Sequence, residues 1–106
     1  MDFNQIKKDV IGEVSGLASS ILADRKNDII QETQHFMDAS ESKLKAWTEA
    51  LALGQLPKNE YELLVKTQMD LLKMKTLTQA GMTLVQIDNF RQGVLDIIVK
   101  VTSKSI

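Results

Sequence analysis

The chain has 106 residues, of which 43% are apolar and 25% charged, and its formal net charge is −1 at pH 7. This length and composition are typical of one globular domain, so we expect residues 1–106 to form a single helical unit. The near-neutral charge argues against a dedicated nucleic-acid binder. The absence of cysteine excludes disulfides and thiolate chemistry, and a single His excludes a multi-His metal site within one chain.

Neither end of the sequence has the pattern of a targeting or membrane segment. Polar and Gly residues interrupt residues 1–23, where a signal peptide has a continuous apolar core. The longest dense apolar stretch, 94–101, contains Asp96 and Lys100 and is far shorter than the roughly 20 residues that span a membrane. We therefore expect a cytoplasmic protein.

The first predicted helix covers about residues 4–53. Apolar and small residues recur along it at intervals of three and four, which is the spacing of one helix face. They are Phe3, Ile6, Val10, Val14, Leu17, Ile21, Ile29, Thr33, Phe36, Ser40, Leu44, Trp47 and Leu51. The helix could break at the polar segment 24–28 or at the capping-box pattern 38–41. We expect it to continue through both.

A turn is predicted at residues 54–58. Gly54 suits the left-handed residue that follows a helix C-terminus, and Pro57 suits a turn or a first helical turn. Asn59 can cap the helix that follows. The turn divides the chain into two arms of nearly equal length.

The second predicted helix covers about residues 58–102. Its interior contains Gly81, where it could bend, and Gly93. Beyond residue 84 its apolar residues cover more than one face, which indicates more than one neighbouring helix. Many of its polar residues are neutral, which we interpret as a protein–protein surface because interface cores are depleted in charge.

These elements predict an all-α fold, a long antiparallel hairpin of two helices in which residue i faces roughly residue 112 − i. In that register Gly93 lies opposite Ser19, and residues 76–80 lie opposite Glu32 and His35. Small residues at the same height on both helices would allow close backbone approach. The predicted helix-packing residues are Gly12, Gly16, Ser19, Ser20, Gly81 and Gly93.

Arms of this size would be about 70 Å long and would bury only one stripe each. We expect the hairpin to homo-oligomerise, first as a dimer that completes a helical bundle. The alternative is a compact monomer in which the arms kink near residues 24–28 and near Gly81. The predicted oligomer interface consists of Leu84, Ile87, Phe90, Val94, Ile97, Ile98 and Val101.

The Glu32-Thr33-Gln34-His35 motif places two metal-ligating side chains on one helix face. In this motif, in length and in hairpin plan, the chain resembles short ferritin-like proteins that complete a metal site by dimerisation. It departs from them in the second helix, which has no acidic residue between Asp70 and Asp88. We therefore expect no bound metal or cofactor, with Glu32 and His35 as the candidates if a metal is bound.

Residues 44–72, LKAWTEALALGQLPKNEYELLVKTQMDLL, combine a leucine-rich helix, a Gly-x-Leu turn, an acidic-aromatic helix start and a second helix. In this order they resemble the helical hairpin of bacterial SHOCT-type segments. Those segments usually carry Ser or Thr at the position of Pro57, so the chain departs from the pattern there. The resemblance implies an oligomerisation or attachment module without catalysis.

No nucleophile elbow and no Gly-rich phosphate loop occurs in the sequence. We expect a non-enzymatic interaction protein that self-associates and presents a helix surface to a protein partner. The alternative is an amphipathic protein of a lipid or granule surface. Its anchor would be formed by Phe3, Ile6, Lys7, Lys8, Val10 and Ile11.

Overall fold

A computed structural model describes residues 2–70 and 75–106. These residues form helices joined by short connections, with no strand among them, so the predicted all-α class is confirmed. The helices are α1 (Phe3–Ile21), α2 (Lys26–Ala39), α3 (Glu41–Ala52), α4 (Lys58–Met69), α5 (Lys75–Gln79) and α6 (Leu84–Ser105).

The first arm is divided into three helices, so the predicted continuous helix over 4–53 was wrong. After α1, a single 3-10 turn at Ala23–Arg25 reverses the chain, and α2 packs back against α1. This turn overlaps the polar segment 24–28, which has no apolar side chain to bury. Folding back there covers the apolar face of α1 with the chain's own residues, including Ile29 and Phe36.

A second break in the first arm lies at Ser40, between α2 and α3. The Ser40 side chain does not cap α3; it is buried and accepts a hydrogen bond of 2.9 Å from Nε2 of Gln68 in α4. The capping-box pattern at 38–41 therefore marked a true interruption, but its side chain serves a contact between helices. This contact fixes α4 beside the junction of α2 and α3.

The connection between α3 and α4 contains the predicted turn. Gly54 has a φ of 73°, the left-handed conformation expected after a helix C-terminus, and Gln55 N donates to Ala50 O at 2.9 Å. Pro57 directly precedes α4, so Asn59 lies inside the helix and is not its cap.

The second arm is also not one continuous helix. α5 ends at Gln79, Gly81 has a φ of 85°, and α6 begins at Leu84. Thr83 and Gln86 form a reciprocal capping box at the start of α6. Residues 71–74 of the predicted second helix lie outside the described residues.

The described helices form a bundle measuring 42 × 23 × 21 Å, with a Cα radius of gyration of 13.5 Å. The predicted hairpin with arms of about 70 Å was therefore wrong. α1 packs against α2 and α6, α4 packs against α3 and α6, and α5 contacts both α2 and α6. One apolar core extends through all of these contacts, from Phe3 in α1 to Val101 in α6.

Candidate functional site

A cavity of about 770 Å³ opens where α2 passes α5 and the C-terminal end of α4. Asp28, Glu32 and His35 reach it from α2, where they occupy successive turns of one helix face. The rest of the lining is mainly neutral and polar. It consists of Gln31, Phe36, Ala39, Ser40, Gln68, Lys75, Thr76 and Gln79.

The Glu32 carboxylate lines this cavity and is partly buried. Its Oε1 accepts two hydrogen bonds from Thr76 in α5, one from the backbone N at 3.2 Å and one from Oγ1 at 2.9 Å. Its Oε2 is shielded from solvent and has no hydrogen-bond partner in residues 2–70 and 75–106. The carboxylate thus joins α2 to α5 through one oxygen and leaves an acceptor at the other.

Glu32 and His35 line the same cavity, as their spacing predicts, and the residue opposite Glu32 is Thr76 from the predicted segment 76–80. His35 is exposed. The described part of the chain contains no group of three or more His, Cys, Asp or Glu side chains placed to hold a metal ion. The described geometry therefore provides no ferritin-like ligand set around the Glu-x-x-His pair.

Sequence reasoning missed the polar contacts that frame the cavity, namely the buried contact of Ser40 with Gln68 and the partly buried contact of Glu32 with Thr76. A signal was present, since Ser40 lies in the apolar stripe of the first arm. Gln68 and Thr76 also belong to the neutral polar residues that we interpreted as a partner surface. In the structure these two are buried within one chain.

Four of the predicted helix-packing residues lie on the outer face of α1. Gly12, Gly16, Ser19 and Ser20 are exposed, and a Cβ added at either glycine would meet no atom within 4 Å. Their predicted packing role was wrong, because α1 uses its opposite, apolar face to contact α2 and α6. These small residues therefore do not set the distance between helices.

The other two predicted packing glycines differ from each other. A Cβ at Gly93 would lie 2.9 Å from Cδ2 of Leu17, so α6 does approach α1 closely there. The predicted register placed Ser19 at this height, two residues away. Gly81 is exposed, and its positive φ lets the chain turn between the end of α5 and the start of α6.

The predicted oligomer interface is mostly inside the core of one chain. Ile87, Phe90, Val94, Ile98 and Val101 are buried, and Ile97 is partly buried against the same core. They find their neighbours within the chain because α1 and α4 both pack on α6. Leu84 differs from them, since it is 79% exposed, and Val85 beside it is 69% exposed.

The predicted lipid anchor is also part of the folded bundle. Phe3, Ile6 and Val10 are buried in the core, and Lys7 forms ion pairs with Asp38 and Glu41. Lys8 is exposed and Ile11 is partly buried. None of the helices within 2–70 and 75–106 has both the length and the apolar content that crossing a membrane requires.

Among the described residues, the buried Oε2 of Glu32 has no hydrogen-bond partner, and Leu84 and Val85 form a pair of adjacent exposed apolar side chains at the start of α6. No family model, curated protein or solved structure matches this chain.

Proposed function

We propose that the protein is a non-enzymatic interaction protein of the cytoplasm that self-associates, first as a dimer, and presents a helix surface to a protein partner. The observation that carries this proposal is the apolar pair Leu84 and Val85, which are 79% and 69% exposed in the first turn of α6. Covering both side chains would contribute about 25 cal/mol for each Å² of apolar surface removed from water.

The surroundings of the pair support a protein contact. Gln86 and Asn89 follow on the same helix and are exposed, and exposed Asp88, one turn after Leu84, is paired with Arg91. An apolar centre with a polar and charged rim is the usual composition of a protein–protein interface. The resemblance of residues 44–72 to SHOCT-type segments agrees with an attachment role.

Light scattering after gel filtration tests self-association. Over a range of concentrations, we expect the molar mass of the wild-type chain to rise above the 11.9 kDa of one chain. The double variant Leu84→Glu, Val85→Glu should remain monomeric, because two carboxylates would have to be buried in the contact. Leu53→Glu is a matched control, since Leu53 is 71% exposed in the connection after α3.

Self-association and the location of the contact at Leu84 and Val85 are contradicted by different results. A wild-type mass of 11.9 kDa at every concentration would contradict self-association. Association of the double variant with wild-type strength would show that the contact lies elsewhere on the molecule.

A further inference from the structure

We propose that α1 is an exchangeable helix, which two copies of this chain swap when the reversal at Ala23–Arg25 straightens and α1 and α2 become one continuous helix. α1 of each copy then packs on α2 and α6 of the other, in the contacts that it makes within one chain. The exchange goes beyond the self-association proposed above, because it needs neither Leu84 nor Val85 and completes the core of each copy with a helix from the other.

The first argument is the sequence of the reversal. Residues 22–27 contain neither Gly nor Pro, and four of the six are Leu, Ala, Arg and Lys, which are good helix formers. The connections after α3 and after α5 are different, because Gly54 and Gly81 have a positive φ there, as is typical of a residue that ends a helix. The reversal after α1 therefore contains no residue that opposes a continuous helix.

The second argument is the backbone of the reversal. Leu22 has a φ of −154° and a ψ of 78°, outside the helical region. Arg25 N donates to Leu22 O at 3.1 Å, whereas in a continuous helix it would donate to Ile21 O. Within residues 2–70 and 75–106, no side chain caps the start of the 3-10 turn or of α2. Straightening gives the backbone groups at both helix ends partners within one helix.

The third argument is the position of the buried residues on the two helices. Ala18 in α1 and Ile29 in α2 are buried and lie 11 residues apart, which is about three turns of a continuous helix. Straightening therefore leaves the buried faces of α1 and α2 on one side of a helix about 55 Å long. Two such helices, side by side and antiparallel, pair α1 of each copy with α2 of the other.

The exchanged dimer also gains a contact that forms only between two copies. Lys7 in α1 pairs with Asp38 in α2, so residue i of α1 faces roughly residue 45 − i of α2. In this register the straightened segments around residue 23 of the two copies lie against each other. Ile21, which is 40% exposed at the end of α1, then lies beside this segment of the second copy. Covering Ile21 favours the exchanged form.

Refolding provides the conditions for exchange. α1 must leave α2 and α6 before it can pack on another copy, so a folded chain does not exchange during a gel-filtration run. Refolding the full chain from urea at high protein concentration should yield a dimer that persists on dilution. We choose the double variant Leu84→Glu, Val85→Glu for this experiment, because it lacks the surface contact proposed above. Its result is therefore separate from the light-scattering test of that contact.

Spin labels at Lys8→Cys and Gln34→Cys in this variant measure the exchange, since the chain has no native cysteine. Both positions are exposed and line one groove between α1 and α2, so the labels lie close together in the folded-back chain. In a continuous helix the two positions are about 39 Å apart. Refolding labelled chain with an excess of unlabelled chain isolates the distance within one chain.

We expect electron–electron double resonance to give about 39 Å for the dimer fraction and the short distance for the monomer fraction. A dimer with only the short distance would overturn the exchange, and so would the absence of a persistent dimer. Neither result bears on the contact at Leu84 and Val85, which light scattering of the wild type tests.

A proline variant locates the hinge. Leu22 is extended, as a residue before proline prefers, and Ala23 is the first residue of the 3-10 turn, where proline is tolerated. Inside a continuous helix proline removes a hydrogen bond and clashes with the preceding turn, so Ala23→Pro should lower the dimer yield by about tenfold or more. Lys58→Pro is the matched control, at the first residue of α4 after extended Pro57, and should keep the full yield. Full yield in Ala23→Pro would overturn the hinge.

The opposite variant keeps the proposal testable if Ala23→Pro does not fold. Asp24 and Asn27 are exposed, so replacing both by alanine removes no core contact. Asp24→Ala with Asn27→Ala raises the helix propensity of the hinge and should raise the dimer yield by about threefold or more. A yield that is unchanged or lower would contradict exchange through a straightened hinge.

Discussion

Among individual residues, Thr48 and Tyr61 form a polar contact inside the core that joins α3 to α4. Their hydroxyl oxygens lie 3.0 Å apart, and neither residue has any exposed surface. Thr48 Oγ1 donates its single proton to Leu44 O at 2.7 Å, so the Tyr61 hydroxyl is the donor in the bond between the helices. Both groups are thereby satisfied.

The directions of these bonds predict different costs for the two residues. Tyr61→Phe should lower the free energy of unfolding by about 1 kcal/mol, because only an acceptor position of Thr48 is left vacant. Thr48→Val should cost more, about 1–3 kcal/mol, because it leaves the buried Tyr61 donor unpaired. Urea denaturation measures both. Equal losses would contradict the assignment of Tyr61 as donor.

The glycines of α1 provide a second prediction. Gly12 and Gly16 are helical and exposed, with open space where a Cβ would stand. Gly12→Ala and Gly16→Ala should each raise the free energy of unfolding by about 0.5–1 kcal/mol, because alanine loses less backbone entropy in a helix. Thermal or urea denaturation checks this, and a loss of stability would show that these positions contact another helix.

Gly93 is the matched control for this gain. Gly93→Ala has the same gain in helix propensity as Gly12→Ala. Its methyl group, however, would lie 2.9 Å from Cδ2 of Leu17, so the Leu17 side chain must move. We therefore expect Gly93→Ala to be less stable than Gly12→Ala in the same experiment.

Residue-level prediction succeeded where helical spacing alone decides position. The apolar stripe included Thr33 and Ser40, and both are buried. The buried Thr33 hydroxyl donates a hydrogen bond to the backbone oxygen of Ile29 at 2.9 Å. The same spacing placed Glu32 and His35 on one face. The free oxygen of Glu32 could not be predicted, since it depends on where α5 places Thr76, a residue 44 positions away.

Between helices, Lys7 connects α1 to both α2 and α3. Its Nζ lies 2.9 Å from Oε1 of Glu41 and 3.2 Å from Oδ1 of Asp38. Hydrogen bonds to Glu41 and then to Asp38 raise the pKa of Lys7 above its ordinary value of 10.5. These contacts stabilise the folded chain while Lys7 is protonated.

A raised pKa places the effect of Lys7 on the alkaline side. The stabilisation is fully present below pH 10.5 and is lost as the pH rises through the higher pKa of the folded state. The difference in unfolding free energy between wild type and Lys7→Met should thus shrink above pH 10.5. Lys8→Met removes a lysine at an exposed neighbouring position and is the matched control for the loss of one positive charge. A difference that stays constant into this range would contradict the ion pairs.

Helix breaks were harder to predict than helix faces. The stripe of the first arm keeps its phase from α1 into α2 and α3, so a straight helix and a folded-back one bury most of the same residues; Ile21, the last residue of α1, is 40% exposed. Whether the arm folds back depends on which helices cover α1. One of them is α6, which is distant in sequence, and the local spacing of apolar residues does not predict such a contact. The turn after α3 was predictable because Gly54 and Pro57 act locally.

At the scale of the whole molecule, the described bundle has the dimensions expected for one folded chain of this length. Its Cα radius of gyration is 13.5 Å, and about 13 Å is typical of 100 residues. Small-angle X-ray scattering at concentrations where the chain is monomeric should give a value close to this. A straight hairpin of about 70 Å would give about 20 Å, and such a result would contradict the bundle.

The pairing of α1 with α6 affects how the chain acquires its structure during synthesis. The ion pair between Glu13 and Lys100 joins residues 87 positions apart, so this flank of α1 gains its cover only after α6 has left the ribosome. α2 can pack on α1 much earlier, because one turn separates them. Until α6 arrives, the nascent chain exposes the side of α1 around Leu17, where a chaperone could bind.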